Sequence, residues 1–570
     1  MFRPRRAPLV LAATALGAGL LTIPNLPAAT AASTATTEHT YVVLADTPAA
    51  IAAAETAVQA AGGTVTGRNS AIGMISATSS SDSFAAEVRA VAGVAGVATD
   101  RAIGKTPKRQ DDATADVAAA RAEASSSDRS NGDHGDRKVE PFADKQWDMK
   151  MIGATADGSY AEEQGNRKVT VGIIDTGVDG THPDIKPNFS YELSRNFTTD
   201  RVDLGDGAVC EHPDAGCKDP ADEDDDGHGT HVAGTIGAAL NGLGMAGVAP
   251  KITLVNIRAG QDSGFFLLDS TANALTYAGD AGIDVVNMSF FVDPWLFNCP
   301  NNPADSADAR AEQRTIIATM QRALRYAKSK GVTLVAALGN SHYNYDDITK
   351  ITDVVSPDFP FQTTYDRPVQ ADCLDLPTMG DGVIGTISVG PSRRKADYSN
   401  WSVTYGEVSA PGGWFRDGLG TPSFRTNGNL ILAPYPKNVA LANEDIDPVT
   451  GASLNPAVLR DCKGTTCAYY QYLQGTSMAS PHAAGVAALI VSKYGEEGRK
   501  GSFGMNPDKV AKILFKTATN VPCPANPVIS YTDVGRPASF TATCVGTAEQ
   551  NNIWGNGIVN AEAAVSDHDD

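Results

Sequence analysis

The apolar residues of this chain fall into short unbroken runs instead of alternating one by one with polar residues. Residues 169–174, 254–257, 285–288, 333–337 and 384–389 are such runs, rich in Val, Ile and Leu. Runs of that length without polar alternation predict strands buried on both faces of a parallel sheet. Segments 271–281 and 317–330 lie between them and read as helices. The alternation of strand and helix from Gln146-Trp147 onward predicts an α/β fold, with a mostly parallel sheet covered on both faces. A smaller unit precedes it. Strands at 41–44, around 65, at 72–75 and at 94–97, with helices from Thr47-Pro48 to Gly62-Gly63 and at 84–91, give the order βαββαβ. Residues 104–140 between the two units are polar and patchily charged, hold no set of residues able to form a core, and read as a flexible, protease-accessible linker. No internal repeat is found.

Three glycine-rich segments carry candidate chemistry. The first is the strand 169–174, which ends in Asp175-Thr176-Gly177. Its carboxylate therefore stands at the C-terminal edge of the sheet, where open α/β sheets bind ligands. The second is Gly227-His228-Gly229-Thr230-His231, which places a histidine at the start of an apolar helix. The third is Gly475-Thr476-Ser477-Met478-Ala479-Ser480-Pro481-His482, a small-residue turn that delivers Ser477 to the head of the apolar run 483–491. Pro481 there reads as a first-turn residue, since its missing N–H has no partner at that position. A hydroxyl, an imidazole and a carboxylate are the parts of a nucleophile activated by a base that an acid orients. A helix start supplies backbone N–H groups and positive dipole beside it.

These segments identify a resemblance to the subtilisin-like serine endopeptidases (subtilases). Also matching are Thr181-His182-Pro183-Asp184-Ile185, Gly247-Val248-Ala249-Pro250, Val286-Asn287-Met288-Ser289 and Ala336-Ala337-Leu338-Gly339-Asn340, across about residues 145 to 566. The resemblance implies a subtilisin-like three-layer fold preceded by a small ferredoxin-like α+β propeptide. It makes Asp175 the orienting acid, His228 (not His231) the general base, Ser477 the nucleophile and Asn340 the oxyanion-hole amide. It also implies one structural Ca²⁺ site, with Asp184 and Asn241 of the loop 239–245 as ligands, and no catalytic cofactor. The expected division is a signal peptide at 1–32, an inhibitory propeptide domain at 39–103, a linker at 104–140 and a catalytic domain at 141–570. The expected function is hydrolysis of peptide bonds in protein or peptide substrates by a monomeric, self-processed zymogen whose propeptide acts as intramolecular inhibitor.

The chain departs from the family in places. Where the family carries glycines after Asn-Met-Ser, this sequence has Phe290-Phe291-Val292, which predicts a restricted pocket and either narrow selectivity or weak general activity. Insertions at about 293–312, 341–380 and 413–470 are expected to rim the cleft, and the Asp175-to-His228 stretch is lengthened by a loop holding Cys210 and Cys217.

Composition narrows the setting. Arg3, Arg5 and Arg6 precede an apolar run from residue 7 to 23 and small residues near Ala29-Thr30-Ala31, the pattern of a secretory signal. Export, with no membrane span in the mature form, is expected. Eight cysteines in an exported chain favour disulfides, and short spacings suggest Cys210–Cys217, Cys462–Cys467 and Cys523–Cys544, leaving Cys299 with Cys373. A formal charge of −20 argues against nucleic acid as a partner. The acidic run Asp222-Glu223-Asp224-Asp225-Asp226 reads as a solvated loop, with cation binding as the alternative. An aspartic protease built on Asp175 and Asp262 is a rival reading, but the residues before Asp262 are not an apolar strand. A second rival is a binding protein that keeps the fold without the chemistry.

Overall fold

The computed structural model describes residues 38–105, 139–202, 207–290, 294–357, 364–497 and 503–566. The expected signal peptide, most of the linker, and Phe291 and Val292 with the selectivity expectation resting on them lie outside these residues.

The first unit has the expected order. Strands β1 (His39–Ala45), β2 (Thr64–Asn69), β3 (Met74–Ser79) and β4 (Val94–Thr99) form an antiparallel sheet in the spatial order β2-β3-β1-β4, with α1 (Ile51–Ala60) and α2 (Phe84–Arg89). Side chains alternate across a strand, and β1 buries both sets. Tyr41, Val43 and Ala45 pack with Ala54, Val58, Phe84 and Val88 under the two helices. Val42 and Leu44, with Ile72, Met74 and Ala98, pack on the far side against residues of the larger unit, among them Leu268, Ile316 and Met320. A final short strand, β5 (Ala102–Lys105), leaves this unit.

The larger unit is built on seven strands: β6 (Thr170–Ile174), β7 (Arg195–Asn196), β8 (Thr253–Arg258), β10 (Val285–Met288), β11 (Thr333–Ala337), β12 (Val383–Val389) and β13 (Val408–Pro411). Their order is β13-β12-β11-β10-β6-β8-β7 and every pairing is parallel. The strands expected from the apolar runs are all present. Helices α3 (His228–Gly237), α6 (Thr476–Tyr494) and α7 (Pro507–Thr517) share a core with Val171, Ile173, Leu254 and Val285. Helices α4 (Leu268–Ala281) and α5 (Ala307–Ser329) cover Ile174, Val255, Val286 and Leu334 on the other side. The result is the expected three-layer α/β fold.

Helix α5 starts ten residues before its expected position. Its first turns, Ala-Asp-Ala-Arg-Ala-Glu-Gln-Arg, offer little apolar pattern, and Ser306 supplies the start by accepting the Ala309 N–H at 3.0 Å. Part of the first insertion is therefore helix. The remainder of it is tied to the second insertion by Cys299–Cys373 and by the buried Arg367, whose guanidinium pairs with Asp305 and Asp353 at 2.8 and 2.9 Å. All four disulfides follow the pairing suggested by spacing. The third insertion does not simply rim a cleft. It contributes an antiparallel sheet of β14 (Ile431–Pro434), β15 (Val458–Lys463) and β16 (Thr466–Leu473) that packs behind α3.

Candidate functional site

Strand β6 stops at Ile174 and hands Asp175 to the sheet edge, where its carbonyl accepts the N–H groups of Ala259 and Gly260, both at 3.1 Å. Helix α3 begins at His228, and the His228 Nδ1 lies 2.8 Å from Asp175 Oδ1, which also accepts the Thr176 N–H. That contact requires the first turn of α3 to press onto the strand end. A Cβ on Gly229 would lie 2.0 Å from the Gly177 carbonyl oxygen, so only glycine lets the two meet. Burial works against protonating His228, but the Asp175 carboxylate, with Asp226 and Asp224 beyond it, outweighs burial and holds its pKa above the ordinary histidine value. His231, one turn on, faces the third insertion through the carbonyls of Ile431 and Gln471, and burial pushes it down to about 3. The residue paired with the acid is thus His228.

The acidic run before α3 is not a solvated loop. Asp224 is 1% exposed. Its Oδ1 accepts from Thr176 Oγ1 at 3.2 Å and the Gly227 N–H at 2.9 Å, and its Oδ2 from the N–H and hydroxyl of Thr230 at 2.9 and 2.6 Å. It caps the His228 helix and stitches that helix to the residue after Asp175. Sequence reasoning missed it because a run of five acids looks hydrated. The one hint was the Ser/Thr/Asp capping pattern, an acid a few residues ahead of a helix start.

On the other side of the edge, Gly475 holds φ 157° and ψ 162°, a conformation left to glycine, and α6 starts at Thr476. Asn340 follows β11. Its Oδ1 accepts both the N–H and the hydroxyl of Thr476, at 2.9 and 2.8 Å, which turns its NH₂ the opposite way. The point that a Gly475 Cβ would occupy is 3.6 Å from both Asn340 Nδ2 and the Ser477 N. The two nitrogens therefore border one small space beside Ser477. The Ser477 hydroxyl donates to the Ser289 carbonyl at 3.2 Å, while the buried His228 Nε2 has no hydrogen-bond partner among the described residues. Asp262, the second acid of the rival aspartic-protease reading, pairs instead with the buried Arg258 beside Asp200 and Asp219.

Asp184 and Asn241 also meet. Asp184 accepts Asn241 Nδ2 at 3.0 Å, the Tyr470 hydroxyl at 2.7 Å and the Met245 N–H at 3.3 Å, and burial raises its carboxyl to about 7. Glu140, expected in the flexible linker, is ordered and buried against the same loop. Its Oε1 accepts the Gly242 N–H at 3.0 Å, and its Oε2 is buried without a hydrogen-bond partner. Lys463 donates to the Asn241 carbonyl at 2.7 Å. Two buried carboxylates against one ammonium leave the loop short of positive charge, and carboxylate oxygens suit a hard cation, while Asn241 turns its Nδ2 to Asp184 and its Oδ1 to the Leu243 N–H.

The tail of the first unit reaches the second. Strand β5 pairs antiparallel with β9 (Phe265–Leu267), in the register Ala102 to Leu267, Gly104 to Phe266 and Lys105 to Phe265. Asp100, just before it, accepts the Asp269 N–H at 3.1 Å in the first turn of α4.

Residues 166–557 match the subtilase family. The nisin leader peptide-processing serine protease of Lactococcus lactis subsp. lactis is 29% identical over 407 residues, which is 70% of this chain but 50% of that protein. Subtilisin DY of Bacillus licheniformis is 25% identical over 411 residues, 72% of this chain and 95% of that protein. Among solved structures, the epidermin leader peptide processing serine protease of Staphylococcus aureus superposes with a TM-score of 0.59 at 20% identity, covering 94% of this chain and 100% of its own, a likeness of fold alone.

Replacing Asp224 by Ala leaves the Gly227 and Thr230 N–H groups of the buried helix start without acceptors. We expect a loss of about 2 kcal/mol or more in stability, read by urea unfolding of the Ser477→Ala chain. A loss below about 0.5 kcal/mol would show the cap to be dispensable.

Proposed function

This chain belongs to the subtilase family, and from that premise we propose that it is a serine endopeptidase in which Ser477, His228, Asp175 and Asn340 perform the chemistry. The observation that carries the reading is the buried Asp175–His228 hydrogen bond with His228 Nε2 left open. The Ser477 Oγ attacks the scissile carbonyl carbon as His228 Nε2 takes its proton, and Asp175 holds the Nδ1–H form and offsets the imidazolium charge. The oxyanion forms where Asn340 Nδ2 and the Ser477 N–H converge. His228 returns the proton to the departing amine, leaving an acyl-Ser477 that water hydrolyses by the same steps reversed.

The chain is further proposed to be exported as a monomeric zymogen with residues 39–103 as propeptide, and its substrates to be proteins or peptides. The antiparallel pairing of β5 with β9 supports inhibition by the propeptide, because a strand laid on that edge occupies the place of an extended substrate. Among the described residues no helix is long and apolar enough to cross a membrane. The loop around Asn241 is proposed to bind Ca²⁺ through Asp184, Asn241 and Glu140. Held by those residues, an ion would supply the positive charge that the loop lacks.

Ser477→Ala should abolish self-processing and casein cleavage while the chain stays folded. A mutant that matures unaided would end the assignment. The catalytic form needs neutral His228, so kcat/KM should rise with pH along a limb whose midpoint lies above about 6.5. An optimum near pH 3 would contradict it.

The propeptide interface should respond to pH in the opposite sense. Burial, then the neighbouring Asp269 carboxylate, raise Asp100 to about 7, and the Asp269 N–H and Arg201 only partly offset them. Asp269, which also accepts from Ser76 and Asn273, is raised as well. A carboxyl raised by docking favours the docked state below its free value and loses that contribution as pH climbs to about 7. Calorimetry of the Ser477→Ala chain should show the propeptide transition falling between about pH 4 and 7, and Asp269→Asn should flatten the fall. An unchanged slope in Asp269→Asn would refute the pair.

Calcium should raise the Tm of the same chain and chelator should lower it, with the difference reduced in Glu140→Gln. A Tm indifferent to both would remove the ion from the loop.

A further inference from the structure

We propose that the Ser289 side chain is a positioning residue for the nucleophile, acting through the backbone carbonyl of Ser477. The inference rests on the reading of Ser477 given above. Pro481 is the sixth residue of α6, well past the first turn expected from the sequence. A proline in a helix has no N–H for the carbonyl four residues earlier, and its ring pushes that carbonyl aside. The carbonyl so deprived is that of Ser477.

Ser289, the residue after β10, makes good the loss. Its hydroxyl lies 3.1 Å from the Ser477 carbonyl oxygen, 2.8 Å from Asn287 Nδ2 and 2.8 Å from the Ser480 hydroxyl. A hydroxyl has one hydrogen to give and two lone pairs to accept with. The Ser477 carbonyl accepts only and the Asn287 NH₂ donates only. The Ser289 hydrogen therefore goes to Ser477, and Ser480 donates to Ser289. Every valence of the Ser289 hydroxyl is used, inside a buried cluster whose members are each fully enclosed.

The consequence is geometric. The peptide that follows the Ser477 Cα is pinned at its carbonyl by Ser289, while the N–H of the peptide before it borders the space shared with Asn340. The backbone carbonyl of Ser289 separately receives the Ser477 hydroxyl. Replacing the Ser289 side chain removes the first contact and leaves the second. A nucleophile with a loosened carbonyl samples misaligned orientations, which slows acylation without altering how substrate binds.

The test is a double-mutant cycle on enzyme matured from the full chain, with kcat and KM for a peptide anilide, an amide whose acylation is the slow step, and the rate of fluorophosphonate labelling as readouts. Ser289→Ala should lower kcat and the labelling rate by 10-fold or more with KM within 2-fold, and Ser289→Thr, which keeps the hydroxyl, should recover most of it. Pro481→Ala gives residue 481 an N–H that can reach the Ser477 carbonyl. In that background Ser289→Ala should cost less than 3-fold. A Ser289→Ala enzyme within 2-fold of the parent, or equal losses in both backgrounds, would overturn the proposal. If Ser289→Ala fails to accumulate, Ser289→Thr against Ser289→Cys in both backgrounds answers the same question. A probe that does not label Ser477 in the parent chain overturns the catalytic reading itself and is scored separately.

Discussion

The close approach of one helix start to one strand end is the contact on which the site depends. Strand β6 and helix α3 belong to different layers, and a hydrogen bond between Asp175 and His228 forms only if their backbones nearly touch. Gly229 allows the contact sterically, and Asp224 makes it stable by giving the otherwise unpaired N–H groups at the helix start a buried acceptor. The cost of burying Asp224 is met by five donors, the N–H groups of Asp226, Gly227 and Thr230 and the hydroxyls of Thr230 and Thr176. The third insertion then backs the same helix. Asn438 donates to the Asp224 carbonyl at 3.1 Å, and the carbonyls of Ile431 and Gln471 receive His231.

The second dependence is between the units. The sheet of the first unit has two apolar faces and only enough helix of its own to cover one. Its other face needs α4 and α5, and polar ties set the register of that docking. Arg322 donates to the carbonyls of Ala45 and Ile72 at 2.7 and 3.2 Å, and Asn69 donates to Asn273 and Thr276 at 2.8 and 2.7 Å. The small domain is therefore complete only against the large one. A sheet with an uncovered apolar face is a poor candidate for independent stability.

How much of this was legible follows from what each feature depends on. The central strands were readable because burial on both faces leaves no room for polar residues, so each appears as an apolar run. The placement of Asp175 at a strand end and of His228 and Ser477 at helix starts was readable because glycines and short polar residues mark those points. The local cysteine pairs were readable from spacing, and Cys462–Cys467 lies across the turn of a hairpin the apolar pattern did not announce. What was not legible is long-range. Nothing in five consecutive acids says that Asp224 turns inward to meet Thr176, and nothing near Glu140 says that it lies against a loop a hundred residues on. Pro481 was placed one turn too early for a related reason: the donor that makes it tolerable deep in α6 comes from Ser289, far away in sequence.

The pairing of β5 with β9 has a consequence for the order of events in the life of the molecule. A strand with open N–H and C=O groups invites any extended chain to add to it, including a misfolded neighbour. While the tail 102–105 is in place, β9 has its partner and that hazard is closed. Removing the tail would uncover that edge, so that in the zymogen reading proposed above activation would also be the step that opens β9 to the backbones of other chains. The backbone groups that now hold the tail would then be free to hold another chain, which ties release of the tail to exposure of the edge.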